Sequence, residues 1–402
     1  YLTSGKHHLT IGRKLLEKLL HGIGCGRSGK EVVCGCGSRM NSVGLRSKCI
    51  HTTLGPIRFR RSLYVCPECG KTRFPGDTAL GIQSGRYSPR LRRLIARAGS
   101  RTSFAEAEDD LRVYAGISVN RKQIERISKE VGWQVEQWLE QKQALALKDD
   151  FSCEEESIPT LYISFDGTGV PMRAEELAGR KGKQTDGSAK TREVKVGCVF
   201  TQTSLDEKGQ PMRDPFSTSY CAAIESSDQF GWRIYAEARS RGLENASRTV
   251  VLSDGARYNK TISKLHFPHA LHIIDLRHAQ EHLHVLSRLL FSEQQRQAHE
   301  QQWLDLLDQG KIEALSEAIK PHIPQRGPRR KEARKELAYF LDNKEHMRYD
   351  DFRKQGLFIG SGVVESACRT LIARRLKNPG MFWSLSGANA IIASRCSQFS
   401  GT

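Results

Sequence analysis

The sequence predicts an α/β protein whose sheet carries carboxylates at the ends of its strands. Two short apolar runs, rich in branched and aromatic side chains, each end in an acid followed by glycine, at Asp166-Gly167 and at Asp254-Gly255. Around them, stretches with strand and helix periodicity alternate in the order strand, strand, strand, helix, strand, helix, strand. Two such carboxylates side by side would make a metal site.

The composition indicates a globular, basic protein. Its 402 residues are enough for two or three domains that each bury a core. Lys and Arg outnumber Asp and Glu by 63 to 45, a formal net charge of +18, and the excess is clustered, which favours nucleic acid over membrane as the partner. No apolar run reaches the roughly 18–20 residues of a membrane span, and no signal peptide is apparent. We therefore expect a soluble, cytoplasmic protein.

Two close pairs of cysteines predict a structural zinc site near the N-terminus. A Cys-x-Cys pair is followed, after a strand-like segment, by Cys-x-x-Cys-Gly, which is typical of a zinc ribbon. The predicted ligands are Cys34, Cys36, Cys66 and Cys69. The first pair is the less specific half, so Cys25, Cys49 or His51 could replace one of its members, and unliganded thiols remain an alternative.

A pair of helices around a glycine turn predicts a helix-turn-helix. Residues 103–114 and 120–131 both have helical periodicity, and the second helix is basic near its start. The candidate DNA contacts are Arg121, Lys122 and Arg126. The alternative is that these residues form the solvated face of an ordinary helical hairpin, and the net positive charge favours DNA.

The predicted sheet begins with an apolar strand in the stretch 161–171, which ends at Asp166 and so brings this acid to the rim of the sheet. The segment 178–190 is rich in glycine and basic residues, so it either closes over a phosphodiester or forms a solvated hairpin loop. Its candidate DNA contacts are Arg180, Lys181 and Lys183. Further strands and helices are predicted at 192–201, 217–223, 228–241, 249–254, 260–265 and 270–275.

The last third of the chain is predicted to be mainly helical. Residues 277–347 repeat apolar side chains at helical spacing, which indicates an all-helical insertion between the second and third candidate acids. A Gly/Ser turn at 360–362 then opens a helix that carries Glu365 in its first turns. Four basic residues that follow are candidate DNA contacts: Arg369, Arg374, Arg375 and Lys377.

Asp166, Asp254 and Glu365 are the candidate catalytic residues and metal ligands. Two strand ends and one helix start are rigid positions, and two magnesium ions about 3.5–4 Å apart need hard oxygens held on rigid elements. One ion would activate an attacking water or 3′-hydroxyl, and the other would stabilise the leaving oxygen. The alternative for each acid is a turn residue or a neighbour of a helix N-cap. The strand order and the net charge favour the metal site.

A different chemistry is suggested by His278-Ala-Gln-Glu281-His282. This H-x-x-E-H pattern occurs in one group of zinc proteases, where both histidines lie on one helical face. Glu345 or Glu365 could supply a third ligand. A protease explains neither the positive charge nor the helix-turn-helix, and five-residue patterns recur by chance.

Several motifs together resemble the bacterial DDE insertion-sequence transposases of the ISKra group. The resemblance extends from the Cys34 region to near the end of the chain. The motifs are Phe165-Asp-Gly-Thr-Gly-Val-Pro-Met172, Gly179-Arg-Lys-Gly182, Lys190-Thr-Arg-Glu-Val-Lys-Val-Gly197, Ser253-Asp-Gly-Ala256, Gly360-Ser-Gly-Val-Val-Glu365, Met381-Phe-Trp383 and Gly387-Ala-Asn-Ala-Ile-Ile392.

The resemblance implies a ribonuclease-H-like core that cuts and rejoins the ends of a mobile element with Mg²⁺ or Mn²⁺. Asp166, Asp254 and Glu365 occupy the acidic triad of that family. Asp275-x-x-His278 is similar to an acid-x-x-His signature that related transposases carry after the second aspartate. His278 would then support the metal ligands or contact DNA, and a satisfied core histidine is the alternative.

The resulting organisation has five segments. They are a zinc-ribbon-like domain at 1–83, a helix-turn-helix domain at 84–148, the first part of the core at 158–275, the helical insertion at 276–352 and the last part of the core at 353–402. The expected partner is double-stranded DNA, both the terminal repeats and the target, bound by a homo-oligomer in the bacterial cytoplasm at the nucleoid. A transposase-derived DNA-binding protein that has lost catalysis is the non-enzymatic alternative.

Overall fold

The computed structural model describes residues 2–22, 26–83, 85–152, 157–182, 184–185 and 187–401, without the side chains of 2–8 and 257. Two positions considered above, Cys25 and Lys183, lie outside the described residues. The chain divides into two compact units, Tyr1–Val131 and Gly132–Thr402.

The first unit opens with a helix and a four-stranded antiparallel sheet. The sheet order is β1-β2-β3-β4, and Leu20 of α1 packs with Ile50, Ile57 and Phe59 of the sheet in one core. Gly55, at φ +105°, makes the turn between the two long strands. The elements are α1 (Leu2–Gly22), β1 (Glu31–Val33), β2 (Arg39–Thr52), β3 (Gly55–Val65) and β4 (Thr72–Arg73).

Helices complete the first unit: α2 (Pro75–Ala79), α3 (Pro89–Arg101), α4 (Phe104–Ala115) and the start of α5 (Arg121–Ala146). Local sequence sets their ends. Ser103 caps α4 in a reciprocal capping box with Glu106, and Gly116 ends it in the left-handed conformation. Helix α5 does not end near 131 as predicted but runs on through Gly132, where a Cβ would lie 2.2 Å from the carbonyl oxygen of Ala390. Close helix packing therefore accounts for a glycine in mid-helix.

The second unit is built on a five-stranded mixed sheet of order β11-β10-β5-β6-β9. Strands β5, β10 and β11 are parallel, whereas β6 is antiparallel to both of its neighbours. The strands and the two helices between them are β5 (Ile158–Pro171), β6 (Thr191–Gln202), β9 (Ser219–Ala223), α6 (Ser227–Ser240), β10 (Ala246–Ser253), α7 (Arg257–His266) and β11 (Leu271–Ile274). The predicted α/β class and the order of elements are confirmed. A short ribbon of β7 (Ser204–Leu205) and β8 (Pro211–Met212) was not predicted.

Strand β5 is the centre of this sheet and of its core. Residues 161–165 are fully buried, since β5 has a strand on either side and helices α6 and α7 on one face. Phe165 meets Phe230 of α6 edge to face at 6.3 Å. The apolar run that precedes Asp166 is thus a core strand.

The rest of the chain is helical. Five helices follow β11, in agreement with the predicted helical stretch: α8 (Leu276–Leu290), α9 (Glu293–Asp308), α10 (Ile312–Ile319), α11 (Pro328–Asp342) and α12 (Tyr349–Lys354). Next, α13 (Gly362–Ala367) continues through a π-helical turn at Cys368–Ala373 into α14 (Arg374–Leu376), and α15 (Leu385–Ser400) packs on β9. Within the described residues, none of these helices combines the length and apolarity that a bilayer crossing requires.

Candidate active site

Asp166 lies inside β5 and not at its end, which corrects the prediction of a strand that stops at this acid. Parallel pairing with β10 ends at Ser164, but antiparallel pairing with β6 continues to Pro171. Gly167 is therefore a strand residue. A Cβ there would lie 2.5 Å from Oε1 of Glu193, so close packing and not a turn accounts for this glycine. Asp166 sits where β5 separates from β10.

The register of the parallel strands aligns three aspartates. Leu252 pairs with Ser164, so two residues further Asp254 comes beside Asp166. Ser253 pairs with Ile274, and the backbone N–H of Asp275 donates to the carbonyl of Ser253 at 2.9 Å. Neighbouring strands lie about 4.8 Å apart. The carboxyl ends of β5, β10 and β11 consequently present a row of acids. Asp166 and Asp254 were predicted as metal ligands, and Asp275 was predicted beside them as part of the acid-x-x-His signature.

Asp254 follows β10 in the expected Asp-Gly turn. Gly255 has φ +78°, and one carboxylate oxygen of Asp254 accepts hydrogen bonds from the backbone N–H of Ala256 at 2.8 Å and from the side-chain amide of Asn259 at 2.6 Å. The phenol of Tyr339, on α11, donates to the Asp254 carbonyl at 3.2 Å. These contacts fix the orientation of the carboxylate.

The negative charges of Asp166 and Asp254 repel each other. Burial raises the pKa of Asp166, the backbone N–H of Gly167 lowers it, and the negative charge of Asp254 raises it again, with a net upward shift. Burial together with the charges of Glu193, Asp254 and Asp166 also raises the pKa of Tyr258. Repulsion between partly buried carboxylates favours a bound cation, and the donor atoms are the hard oxygens that Mg²⁺ and Mn²⁺ prefer.

Asp275 joins two helix starts. It is 1% exposed, and one carboxylate oxygen accepts the backbone N–H of His278 at 2.9 Å, which caps α8. The other oxygen accepts the backbone N–H of Ser361, the residue before α13. The backbone N–H of Leu276 adds a bond of 3.0 Å to the carbonyl of Ile359. Asp275 thus holds the segment that carries Glu365 against the segment that carries His278.

Glu365 lies in the first turn of α13, as predicted. The hydroxyl of Ser361 lies 3.4 Å from Oε1, and the guanidinium of Arg277 lies 3.9 Å from Oε2. One potential ligand atom each from Glu365, Asp275 and His278 falls within 4.8 Å of the others. Glu365 is therefore close to the two residues that the acid-x-x-His signature supplies.

Cys368 places the same helical face against Asp166. It lies three residues after Glu365, and its Sγ is 3.6 Å from Oδ2 of Asp166. Burial and the charge of Asp166 raise the pKa of this thiol. The helical segment that carries Glu365 thus contacts Asp166. In the described part of the chain, however, three ligand atoms approach one another within 4.8 Å at Asp275, His278 and Glu365, and not at the predicted acidic triad.

Most of the basic residues predicted near the acids are on the surface. Arg180, Lys181, Arg369 and Arg374 are exposed, and the ammonium of Lys377 donates to the hydroxyl of Thr168 on β5. Arg375 is the exception and corrects a predicted DNA contact. It is completely buried, with its guanidinium 5.0 Å from the ring centre of Trp383, so it cannot reach a phosphate.

The two histidines of the H-x-x-E-H pattern have different partners. Nδ1 of His278 lies 3.5 Å from Glu281, and His278 belongs to the group around Glu365. Nδ1 of His282 lies 2.6 Å from Glu336, and its ring stacks on Tyr339 at 3.7 Å. A zinc-protease site needs both rings on one ion, and this arrangement does not provide it.

The four predicted cysteines of the first unit converge. Cys34, Cys36, Cys66 and Cys69 have all sulfurs within 4.8 Å of one another, and two sulfur pairs are 3.6 Å apart. A Zn–S distance of about 2.3 Å places the sulfurs of a tetrahedral site about 3.8 Å apart, so the cluster fits zinc. The Cys-x-Cys half forms a tight turn like its partner. Cys49, exposed on β2, is not part of the cluster.

Three residues near the acids were missed by the sequence analysis. Cys368 had a usable signal, because its spacing of three from Glu365 puts both on one helical face. Asn259 and Tyr258 of α7 had none, since their contacts depend on how α7 packs under the turn at Asp254.

Comparison with known proteins adds little. No protein-family model matches the sequence, and no curated protein matches it. Among solved structures, the Drosophila P element transposase strand transfer complex is similar at a TM-score of 0.35 and 11% sequence identity, over 79% of this chain and 94% of that chain. A similarity this weak carries no argument about the fold or the activity of this chain.

Proposed function

We propose that the chain is a transposase that cleaves and joins DNA strands with divalent metal held by Asp166, Asp254 and Glu365. The observation that carries this proposal is the register of β5 and β10, which sets Asp166 and Asp254 side by side, together with the contact of the Glu365 helix with Asp166 through Cys368. The mixed sheet with acids at one edge supports a ribonuclease-H-like core. The motifs that resemble ISKra-group transposases include the same three acids.

The residues of the chain would prepare the site for the metal. Bound Mg²⁺ or Mn²⁺ would polarise the phosphodiester and lower the pKa of the attacking water or 3′-hydroxyl. Asn259 and the Ala256 N–H orient Asp254, and the Gly167 N–H orients Asp166 at 2.6 Å. Asp275 keeps Glu365 and His278 together, because its own oxygens are engaged by backbone donors.

The DNA would be held by exposed cations in both units. In the second unit these are Arg180, Lys181, Arg369 and Arg374. In the first unit, Arg121, Lys122 and Arg126 at the start of α5 are exposed. A helix-turn-helix that contacts DNA through these residues needs them to be exposed. The four-cysteine cluster would bind a structural Zn²⁺. Cleavage of two element ends in one complex would need at least two copies of the chain.

The test is metal-dependent nicking of duplex DNA that carries the ends of the element. We expect cleavage in Mg²⁺ or Mn²⁺ by the wild-type chain and its loss, by at least about 100-fold, in Asp166→Asn, Asp254→Asn and Glu365→Gln, since each removes a charged ligand. Matched controls are Asp149→Asn and Glu207→Gln, which change exposed acids away from the site and keep activity.

Two outcomes contradict the proposal. If the wild-type chain binds the ends and never cuts them, the alternative of a DNA-binding protein without catalysis replaces it. If cleavage survives in the Asp166 and Asp254 variants, these two carboxylates do not hold the metal.

A further inference from the structure

The first unit has a groove of about 860 Å³ beside α3. Its walls are α3, the turn between β2 and β3 at Thr53, the end of α4 at Ala115 and the connection to α5 at Ile117. Arg90, Arg93 and Arg97 line it, and no acidic side chain does among the residues that the structure describes there. We propose that this surface, named here the α3 arginine row, binds the phosphate backbone of duplex DNA.

The spacing makes these arginines a row. Positions separated by three and four residues lie on one face of a helix. With a rise of about 1.5 Å per residue, the row extends about 10 Å along α3. One strand of B-DNA carries a phosphate about every 3.4 Å of helix axis, so the row matches about three phosphates. A single small anion would not use its full length.

The guanidinium groups are available for a ligand. All three arginines are exposed, and within the described part of the chain none of their guanidinium groups has an ion pair or hydrogen bond to a protein group. By contrast, Arg92 on the other side of the helix is bonded to Glu130 at 2.9 Å. Three unpaired cations on one face repel one another, and an extended polyanion removes that repulsion.

The start of α5, the expected DNA-reading element, is electrostatically weaker. Glu108 of α4 accepts the backbone N–H of Arg121 at 3.0 Å, and Asp109 lines the same hollow. Arg126 lies 3.2 Å from Glu130. These carboxylates offset part of the positive charge there and repel phosphate. The α3 arginine row should therefore contribute more of the salt-dependent affinity than the start of α5.

The test measures the affinity for a labelled 30-base-pair duplex of mixed sequence, without added divalent metal, between 50 and 200 mM salt. Each phosphate contact contributes about 0.9 to the slope of log affinity against log salt. The triple variant Arg90→Gln/Arg93→Gln/Arg97→Gln should make this negative slope shallower by about 2.7. The ratio of wild-type to variant affinity should then fall about 40-fold between the two salt concentrations.

A control variant separates this surface from net charge. The variant Arg39→Gln/Arg112→Gln/Lys354→Gln removes the same number of positive charges. Its three exposed residues are already paired with Glu31, Asp109 and Asp350. Its slope should stay within about 1 of wild type. Arg121→Gln/Lys122→Gln/Arg126→Gln tests the rival surface and should lower the slope by less than the α3 triple variant. Glutamine keeps helix propensity, and circular dichroism checks that each variant folds.

The proposal is overturned if the α3 variant and the charge-matched control have the same slope, if the α5 variant lowers it more, or if the wild-type chain does not bind the duplex. It extends the proposed function to a DNA-holding surface but does not depend on catalysis. A chain that binds along α3 and never cuts DNA would refute the cleavage proposal alone.

Discussion

Asp275 is predicted to be the residue that holds the site together. Asp275→Ala removes the acceptor of two backbone N–H groups, those of His278 and Ser361. Loss of the cap on α8 costs about 1 kcal/mol. The N–H of Ser361 is left without its acceptor in a buried place, which costs a further 1–3 kcal/mol or so. We expect the free energy of unfolding to fall by about 3 kcal/mol. Asp275→Asn should lose only about two-thirds of this, because its carbonyl can still cap α8 while the Ser361 N–H loses its acceptor.

Urea unfolding followed by tryptophan fluorescence measures this effect in the second unit. All five tryptophans of the chain come after Gly132, so the signal reports that unit. With a urea dependence of about 3 kcal/mol/M, Asp275→Ala should lower the midpoint by about 1 M. The matched control is Asp228→Ala, an exposed acid in the first turn of α6, which should cost under about 1 kcal/mol.

Amide hydrogen exchange gives a second, local readout. In Asp275→Ala, the amides of His278 and Ser361 should both exchange faster, whereas amides in β9 should not change. If Asp275→Ala unfolds at the same urea concentration as the Asp228 control, and both amides keep their protection, then Asp275 does not hold the two segments together and the reasoning is refuted.

Three further predictions test other parts of the structure. Asp166→Asn should raise the melting temperature at pH 7, because burial raises the pKa of Asp166 and its ionised form destabilises the fold. The difference in melting temperature between variant and wild type should disappear as the pH falls below the unfolded-state pKa of this group. The same difference at pH 3 as at pH 7 would contradict the prediction. Gly132→Ala should lower the free energy of unfolding by more than about 1 kcal/mol, although the same change at an open helix position stabilises, since its Cβ would meet the Ala390 carbonyl; a more stable variant in urea unfolding would contradict this. Metal analysis of the purified chain should find one zinc per molecule, which is lost in Cys66→Ser and kept in Cys49→Ser. If Cys66→Ser retained its zinc, the four-cysteine cluster would not be the zinc site.

Part of the fold could be predicted because it depends on local pattern. Strands β5 and β10 each contain a short apolar run, at 161–165 and 250–252, and such a run before an acid and a glycine is typical of a buried strand. The four-cysteine cluster could also be predicted, because the short spacing within each cysteine pair is visible in the sequence. The continuation of β5 past Asp166 could not, because it depends on pairing with β6.

The same limit applies to side-chain orientation at the site. Arg375 follows the π-helical turn at Cys368–Ala373, and such a turn shifts the faces of the residues after it. A sequence pattern read with the regular helical period of 3.6 residues therefore does not predict that the side chain of Arg375 is buried. The bond between Asp275 and the Ser361 N–H has no local signal, because the helical segments α8–α12 separate the two residues in sequence.

The most direct test of the central claim is to count tightly bound Mn²⁺ by electron paramagnetic resonance. The claim is that Asp166 and Asp254 hold the catalytic metal with Glu365. The competing arrangement is Asp275, His278 and Glu365, whose ligand atoms lie within 4.8 Å of one another. We predict that bound Mn²⁺ is lost in Asp166→Asn and retained in His278→Gln. Retention in Asp166→Asn together with loss in His278→Gln would contradict the account.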